Sequence, residues 1–218
     1  MGKRYLPAIF FFSSLCFLFF TILVSHHLFN RFDLVTTIDV QSDLPHRFDL
    51  LLSVLSLLGS FEVCTLILLC VIFCFIRQKK WIIPTFFFYG LGTAIEYVGK
   101  TFIQHPGPPA QFFRYDISIL FPSSFIHTLH SYPSGHSFRA LFIFSTVLFA
   151  TWMYKHIRLN AFALGFLLIY LILMLFSRVS LGEHWTSDVI GGLFLGISLS
   201  SLNALLIGTW YSTKKRSR

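Results

Sequence analysis

Apolar residues run along this chain in long blocks instead of alternating with polar ones, and six of these blocks are long enough to cross a bilayer. Spanning about 30 Å of hydrocarbon takes about 20 mostly apolar residues at a helical rise of 1.5 Å each. The blocks fall near residues 5–29, 50–76, 81–103, 135–154, 160–177 and 185–211, and each predicts a transmembrane helix. No polar or Gly/Ser-rich linker separates them, so the pattern predicts an all-α fold: a six-helix membrane bundle forming a single domain over residues 1–218. Lys3 and Arg4 precede the first block as they would in a signal peptide. Its apolar run is long and no small-residue cleavage site follows, so it is expected to stay as an anchor.

Composition agrees with lipid as the solvent. The chain is 55% hydrophobic and 12% charged, against about 25% charged in a soluble domain, and its mean hydropathy is +0.72. The net charge of +8 would raise the question of nucleic acid in a soluble protein, but here the basic residues sit in short clusters between apolar blocks and report topology instead. Lys3 and Arg4, then Arg77, Lys79 and Lys80, then Lys155 and Arg158, then Lys214, Lys215, Arg216 and Arg218 mark one side of the membrane. Both termini are therefore expected in the cytoplasm. Asp33, Asp39, Asp43, Asp49, Asp116, Glu183 and Asp188 fall in or beside the opposite loops. Cys16, Cys64, Cys70 and Cys74 lie inside apolar blocks without the spacing of a zinc site or a disulfide framework.

The connection from about 104 to 134, between the third and fourth helices on the outer side, is too long for a simple turn. Pro106, Pro108 and Pro109 around Gly107 end the third helix. Phe112, Phe113, Phe121, Phe125 and Tyr132 suit an interfacial zone, so this loop is expected to fold down over the membrane surface.

Charged groups near a bilayer interior cost about 2.5–3.5 kcal/mol each at a helix centre, so their presence needs a reason. In the predicted topology Lys100 ends the third helix, Ser134 to His136 begin the fourth, Arg178 ends the fifth, and His184 with Asp188 begin the sixth, all on the non-cytoplasmic side. His184 and Asp188 are four residues apart and share a helical face. A carboxylate there can hold one imidazole nitrogen and leave the other as a nucleophile. Lys100 and Arg178 are candidate ligands for phosphate oxygens, and Pro133-Ser134-Gly135 opens a helix whose free N–H groups suit an anion. Glu96, four residues before Lys100, is read as its counter-ion. Glu62 has no partner legible in the sequence. His26, His27, His46, His127, His130 and His156 are read as interfacial.

Pro133-Ser134-Gly135-His136 and Ser177-Arg178-x5-His184-x3-Asp188 resemble the second and third signatures of the type 2 phosphatidic acid phosphatase superfamily, and Lys100 followed by Pro108 resembles the first, K-x6-R-P. The resemblance covers residues 50–211. It implies a phosphatase of a membrane lipid phosphate or diphosphate in which His184 attacks phosphorus to form a phosphohistidine, Asp188 orients it, and His136 protonates the leaving oxygen. Lys100, Ser134, Gly135 and Arg178 would hold the phosphoryl group. It implies no metal or other cofactor, and no nucleic-acid partner. A polyprenyl diphosphate such as undecaprenyl diphosphate is the preferred substrate, with phosphatidylglycerol phosphate and phosphatidic acid as competitors. The expected location is the plasma (inner) membrane, with the site outside the cytoplasm. The arginine of the first signature is Gly107 here. Arg139, three residues after His136, is the candidate replacement, ahead of Arg114 and His105. The alternatives are a transporter or scaffold that keeps the phosphate pocket without turnover, and a phosphatase of soluble esters.

Overall fold

The computed structural model describes residues 5–115, 117, 121–125, 128–154 and 157–216. Lys3, Arg4, Asp116, His127, Lys155, His156 and Arg218, and the side chains of Phe125, Lys214, Lys215 and Arg216, lie outside the described residues. Among the described residues all regular structure is helical. Helix α1 is Leu6–Ser25, α2 Asn30–Asp43, α3 Asp49–Leu57, α4 Phe61–Cys70, α5 Ile82–Phe102, α6 Gly135–Met153, α7 Ala161–Ser180 and α8 Thr186–Arg216. Helices cover each predicted span, but the one predicted over 50–76 is broken between Leu57 and Phe61. Leu6–Ser25, Ala161–Ser180 and Thr186–Gly208 are long and apolar enough to cross a membrane, and His46–Leu57 with Phe61–Ile76, bent by 56°, makes a fourth if it forms one broken span. Helices α5 and α6 carry Glu96, Lys100 and Arg139 among their apolar residues.

The burial pattern is that of a protein solvated by lipid. Phe162, Phe166, Ile169 and Ile172 point outward along α7, and Phe11, Phe12, Leu15 and Phe19 do so along α1, whereas Ser, Thr, Asn, Asp and Arg side chains fill much of the interior. Helix α2 was not predicted, because its composition is too polar for a span. Asp33 and Thr37 are buried while Phe32, Leu34, Val35 and Ile38 are exposed, so its polar face packs on the protein and its apolar face turns away from it.

Two features set the site's geometry. Helices α6 and α8 pack closely at Gly192 and Gly196, four residues apart, which present bare backbone to the carbonyls of Ser134 and Phe138. Small residues at this spacing are how membrane helices bring their axes close, since packing rather than apolar burial drives association in lipid. A Cβ on Gly192 would meet the Ser134 carbonyl, which cannot swing aside as a flexible side chain could. We expect Gly192→Ala to cost about 1–3 kcal/mol by overpacking. A lowered Tm in detergent would show this, and an unchanged Tm would mean that the helices are not in contact here. Second, Tyr132 is fully buried and shares a hydrogen bond of 3.0 Å with Thr21 of α1. It wedges α1 against α8 at Gly191, correcting its reading as an interfacial ring.

Candidate active site

The turn from α7 to α8 is built by Gly182, whose φ of +68° is open to glycine and costly for other residues. Gly182 N–H donates to the Val179 carbonyl at 3.0 Å and Glu183 N–H to the Arg178 carbonyl at 3.1 Å, the paired bonds of a glycine-terminated helix. The reversal brings His184 back beside Arg178, whose carbonyl also accepts the His184 N–H at 3.0 Å. His184 Nδ1 lies 3.2 Å from Asp188 Oδ2, and the Trp185 N–H donates to that same oxygen at 3.0 Å. The Ser134 N–H donates to the Asp188 carbonyl at 3.0 Å, so the first turns of α6 and α8 are pinned together.

Lys100 joins the site from the end of α5, with its Nζ 2.8 Å from Glu96 Oε1, as the spacing predicts. His136 is packed against Gly59, at the break between α3 and α4. Ser134 Oγ and Arg178 Nε are buried and have no hydrogen-bond partner among the described residues. Arg178 also pairs with Glu183 at 2.5 Å and donates to the Ser56 hydroxyl. The positive charges of Arg178, Arg139 and Lys100 act on His136. Burial first, then the charges of Arg178, Lys100 and Arg139, hold the His184 imidazole well below the usual histidine range, so it is neutral at neutral pH. The structure therefore brings Lys100, Ser134, Gly135, His136, Arg178, His184 and Asp188 to one end of the helices. A neutral imidazole oriented by a carboxylate, set among cations and a helix N-terminus, has the parts to attack a phosphoryl group and hold its oxygens.

Other readings need adjustment. Arg139 is buried, and its Nη1 lies 2.8 Å from Glu96 Oε2. Glu96 thus bridges Arg139 and Lys100, with its carboxylate against Gly135. Arg114 pairs with Asp49 at 2.8 Å and donates to the Gln41 and Leu44 carbonyls, anchoring the start of the long loop to the end of α2 and the start of α3. His105 faces carboxylates. Glu62, which had no legible partner, accepts from the N–H and hydroxyl of Ser123. The loop packs across the site end of the helices through these contacts and through Trp185 Nε1, which donates to the Pro106 carbonyl at 2.7 Å. Sequence reasoning missed the partners of Arg178. Glu183 is signalled only by adjacency to His184, and Ser56 by nothing.

A model of the PAP2 superfamily matches residues 81–212. A search of curated proteins gives no match. Among solved structures, the chain is similar to a transmembrane PAP2 type phosphatidylglycerolphosphate phosphatase from Bacillus subtilis, with TM-score 0.69, 20% identity, and 98% of this chain and 100% of that one covered. It is also similar to LpxE from Aquifex aeolicus, with TM-score 0.58, 25% identity, and coverage of 79% and 94%. The matched residues include Lys100, Ser134 to His136, Arg178, His184 and Asp188, and the chain, an integral membrane phosphatase, belongs to the PAP2 superfamily.

Proposed function

We propose that this enzyme hydrolyses a membrane lipid phosphate or diphosphate through a phosphohistidine on His184, without a metal or other cofactor. The observation that carries the reading is the convergence of His184 and Asp188 with Ser134 and Lys100 from separate helices at one end of a structure whose flanks are apolar. A head group could enter there while its chains stay in hydrocarbon. Asp188 holds His184 Nδ1, which directs the Nε2 lone pair at phosphorus. As the Nε2–P bond forms, the bond from phosphorus to the leaving oxygen breaks, and His136 gives that oxygen a proton. Lys100, Arg178, Ser134 Oγ and the Gly135 N–H hold the three remaining phosphoryl oxygens. The buried, unpartnered Ser134 Oγ and Arg178 Nε support this assignment, because such groups are costly unless something completes their hydrogen bonding. His136, now a base, then takes a proton from water, and the resulting attack on phosphorus releases phosphate and restores His184. Arg139 serves by balancing Glu96, which in turn positions Lys100.

We place six spans in the membrane, with both termini cytoplasmic and the site at the outer face of the plasma membrane. The opposite positions of the site and of Arg77, Lys79, Lys80 and Arg158 along the helices support this orientation.

A polyprenyl diphosphate is the preferred substrate, since a head group of higher charge gains more from the cations. A panel of undecaprenyl diphosphate, phosphatidylglycerol phosphate, phosphatidic acid and a soluble phosphate ester in detergent micelles tests this. We expect release of phosphate from at least one lipid, faster than from the soluble ester, and undiminished in EDTA because Lys and Arg supply the positive charge. Loss of activity in EDTA with recovery on adding a divalent metal would contradict the mechanism. Release from the soluble ester alone would favour that alternative.

A further inference from the structure

Behind Asp188, on the side away from His184, lies a second buried cluster drawn from three elements. Asp33 of α2 accepts from the Ser187 N–H at 2.8 Å and from the Ser187 hydroxyl at 2.7 Å. These bonds cap the first turn of α8 from another helix, and Thr36 adds a bond of 2.8 Å to Thr186 one residue earlier. Such caps satisfy N–H groups that a helix start leaves open. His105, from the loop after α5, sends Nε2 into the same space. It lies 3.2 Å from Ser187 Oγ, 3.5 Å from Asp188 Oδ1 and 3.6 Å from Asp33 Oδ2. The Ser187 hydroxyl gives its proton to Asp33, so its oxygen can only accept from His105. Nε2 therefore carries the hydrogen. His105, Asp33 and Asp188 are all buried, where unmatched polar groups are costly.

We propose that His105 and Asp33 are positioning residues for phosphoryl transfer: Asp33 fixes the first turn of α8, and His105, bonded to the Ser187 hydroxyl with its Nε2 3.5 Å from Asp188 Oδ1, backs the carboxylate so that Oδ2 stays aimed at His184. Asp33 lies outside residues 81–212, matched by the family model, and His105 occupies one of the unspecified positions of the first signature. Burial first, then His27 and His130, push the His105 imidazole down to about 4, so replacing it near neutral pH removes a hydrogen-bond donor and not a charge. The cluster touches no substrate atom. It acts on the rate of attack and leaves substrate binding alone.

This inference rests on the phosphohistidine reading, and the experiment separates the two. Wild type, His184→Ala, Asp33→Asn, His105→Phe and His105→Gln are purified in detergent. They are mixed in a rapid-quench instrument with undecaprenyl diphosphate, phosphatidylglycerol phosphate or phosphatidic acid, each radiolabelled at its terminal phosphorus. The first-order rate constant of phosphoenzyme formation does not depend on how much of the protein is folded, so a loss of folded enzyme alone lowers the amplitude and leaves the rate constant unchanged. We expect it to fall about tenfold or more in His105→Phe and Asp33→Asn, with KM within about twofold of wild type, and to recover to within about threefold of wild type in His105→Gln, which keeps an N–H donor. Rate constants at the wild-type value in His105→Phe and Asp33→Asn, with His184→Ala inert, would overturn the positioning role alone. A wild type that forms no phosphoenzyme from any of the three lipids would overturn the phosphohistidine reading and this one with it.

Discussion

His184→Ala is expected to lower kcat on a lipid phosphate by about 10⁴-fold or more, the scale on which losing a nucleophile removes the chemical step while binding groups remain. The same variant should lose a phosphoenzyme that survives alkali and decomposes in acid, as a phosphoramidate does. Both follow from placement: His184 is buried, its Nδ1 is 3.2 Å from Asp188, and the charges of Lys100 and Arg178 act on it. Its lowered pKa also sets a sign. A histidine held below its usual range stays neutral until the pH falls through the lowered value, so His184 remains nucleophilic well below pH 6.5. Measured kcat and acid-quenched against alkali-quenched labelling check the prediction. A variant within tenfold of wild type would remove His184 from the mechanism.

Asp188→Asn is expected to lower kcat by about 10³–10⁴-fold at nearly constant size and shape, by analogy with the loss of an imidazole-orienting carboxylate in other nucleophilic enzymes. Oδ2 accepts from both the Trp185 N–H and His184 Nδ1. If the asparagine oxygen takes this position, both bonds persist but the negative charge that stabilises the phosphohistidinium is gone. If the amide nitrogen takes it, the imidazole must accept at Nδ1, its proton moves to Nε2, and the attacking lone pair is lost. Either outcome slows attack, and the single-turnover rate of phosphoenzyme formation measures it. Wild-type rates would mean that Asp188 does not orient His184.

The apolar helices and the signature residues were legible in the sequence because each depends on local order. Apolar blocks of about 20 residues can satisfy their backbone in lipid only as helices, and the spacings from Glu96 to Lys100 and from His184 to Asp188 follow from 3.6 residues per turn. Arg139 could not be placed against Glu96 for the same reason. Its spacing from His136 describes one helix, whereas its partner Glu96 lies on another, and nothing local records that two buried charges from different helices will seek each other. Tyr132 was misread because an aromatic ring beside prolines suits an interface as well as a gap between helices.

By itself, the sequence determined which apolar segments are helical, that lipid surrounds them, and which residue types could carry phosphoryl chemistry. Only the tertiary structure decided that Gly192 and Gly196 bring the starts of α6 and α8 into contact. It also decided that Glu96 pairs with Arg139 and Glu183 with Arg178, and that Asp33 and His105 stand behind Asp188. Periodicity along a chain encodes which face of a helix is buried. What that face meets depends on close approach between residues distant in sequence, and no local pattern contains it.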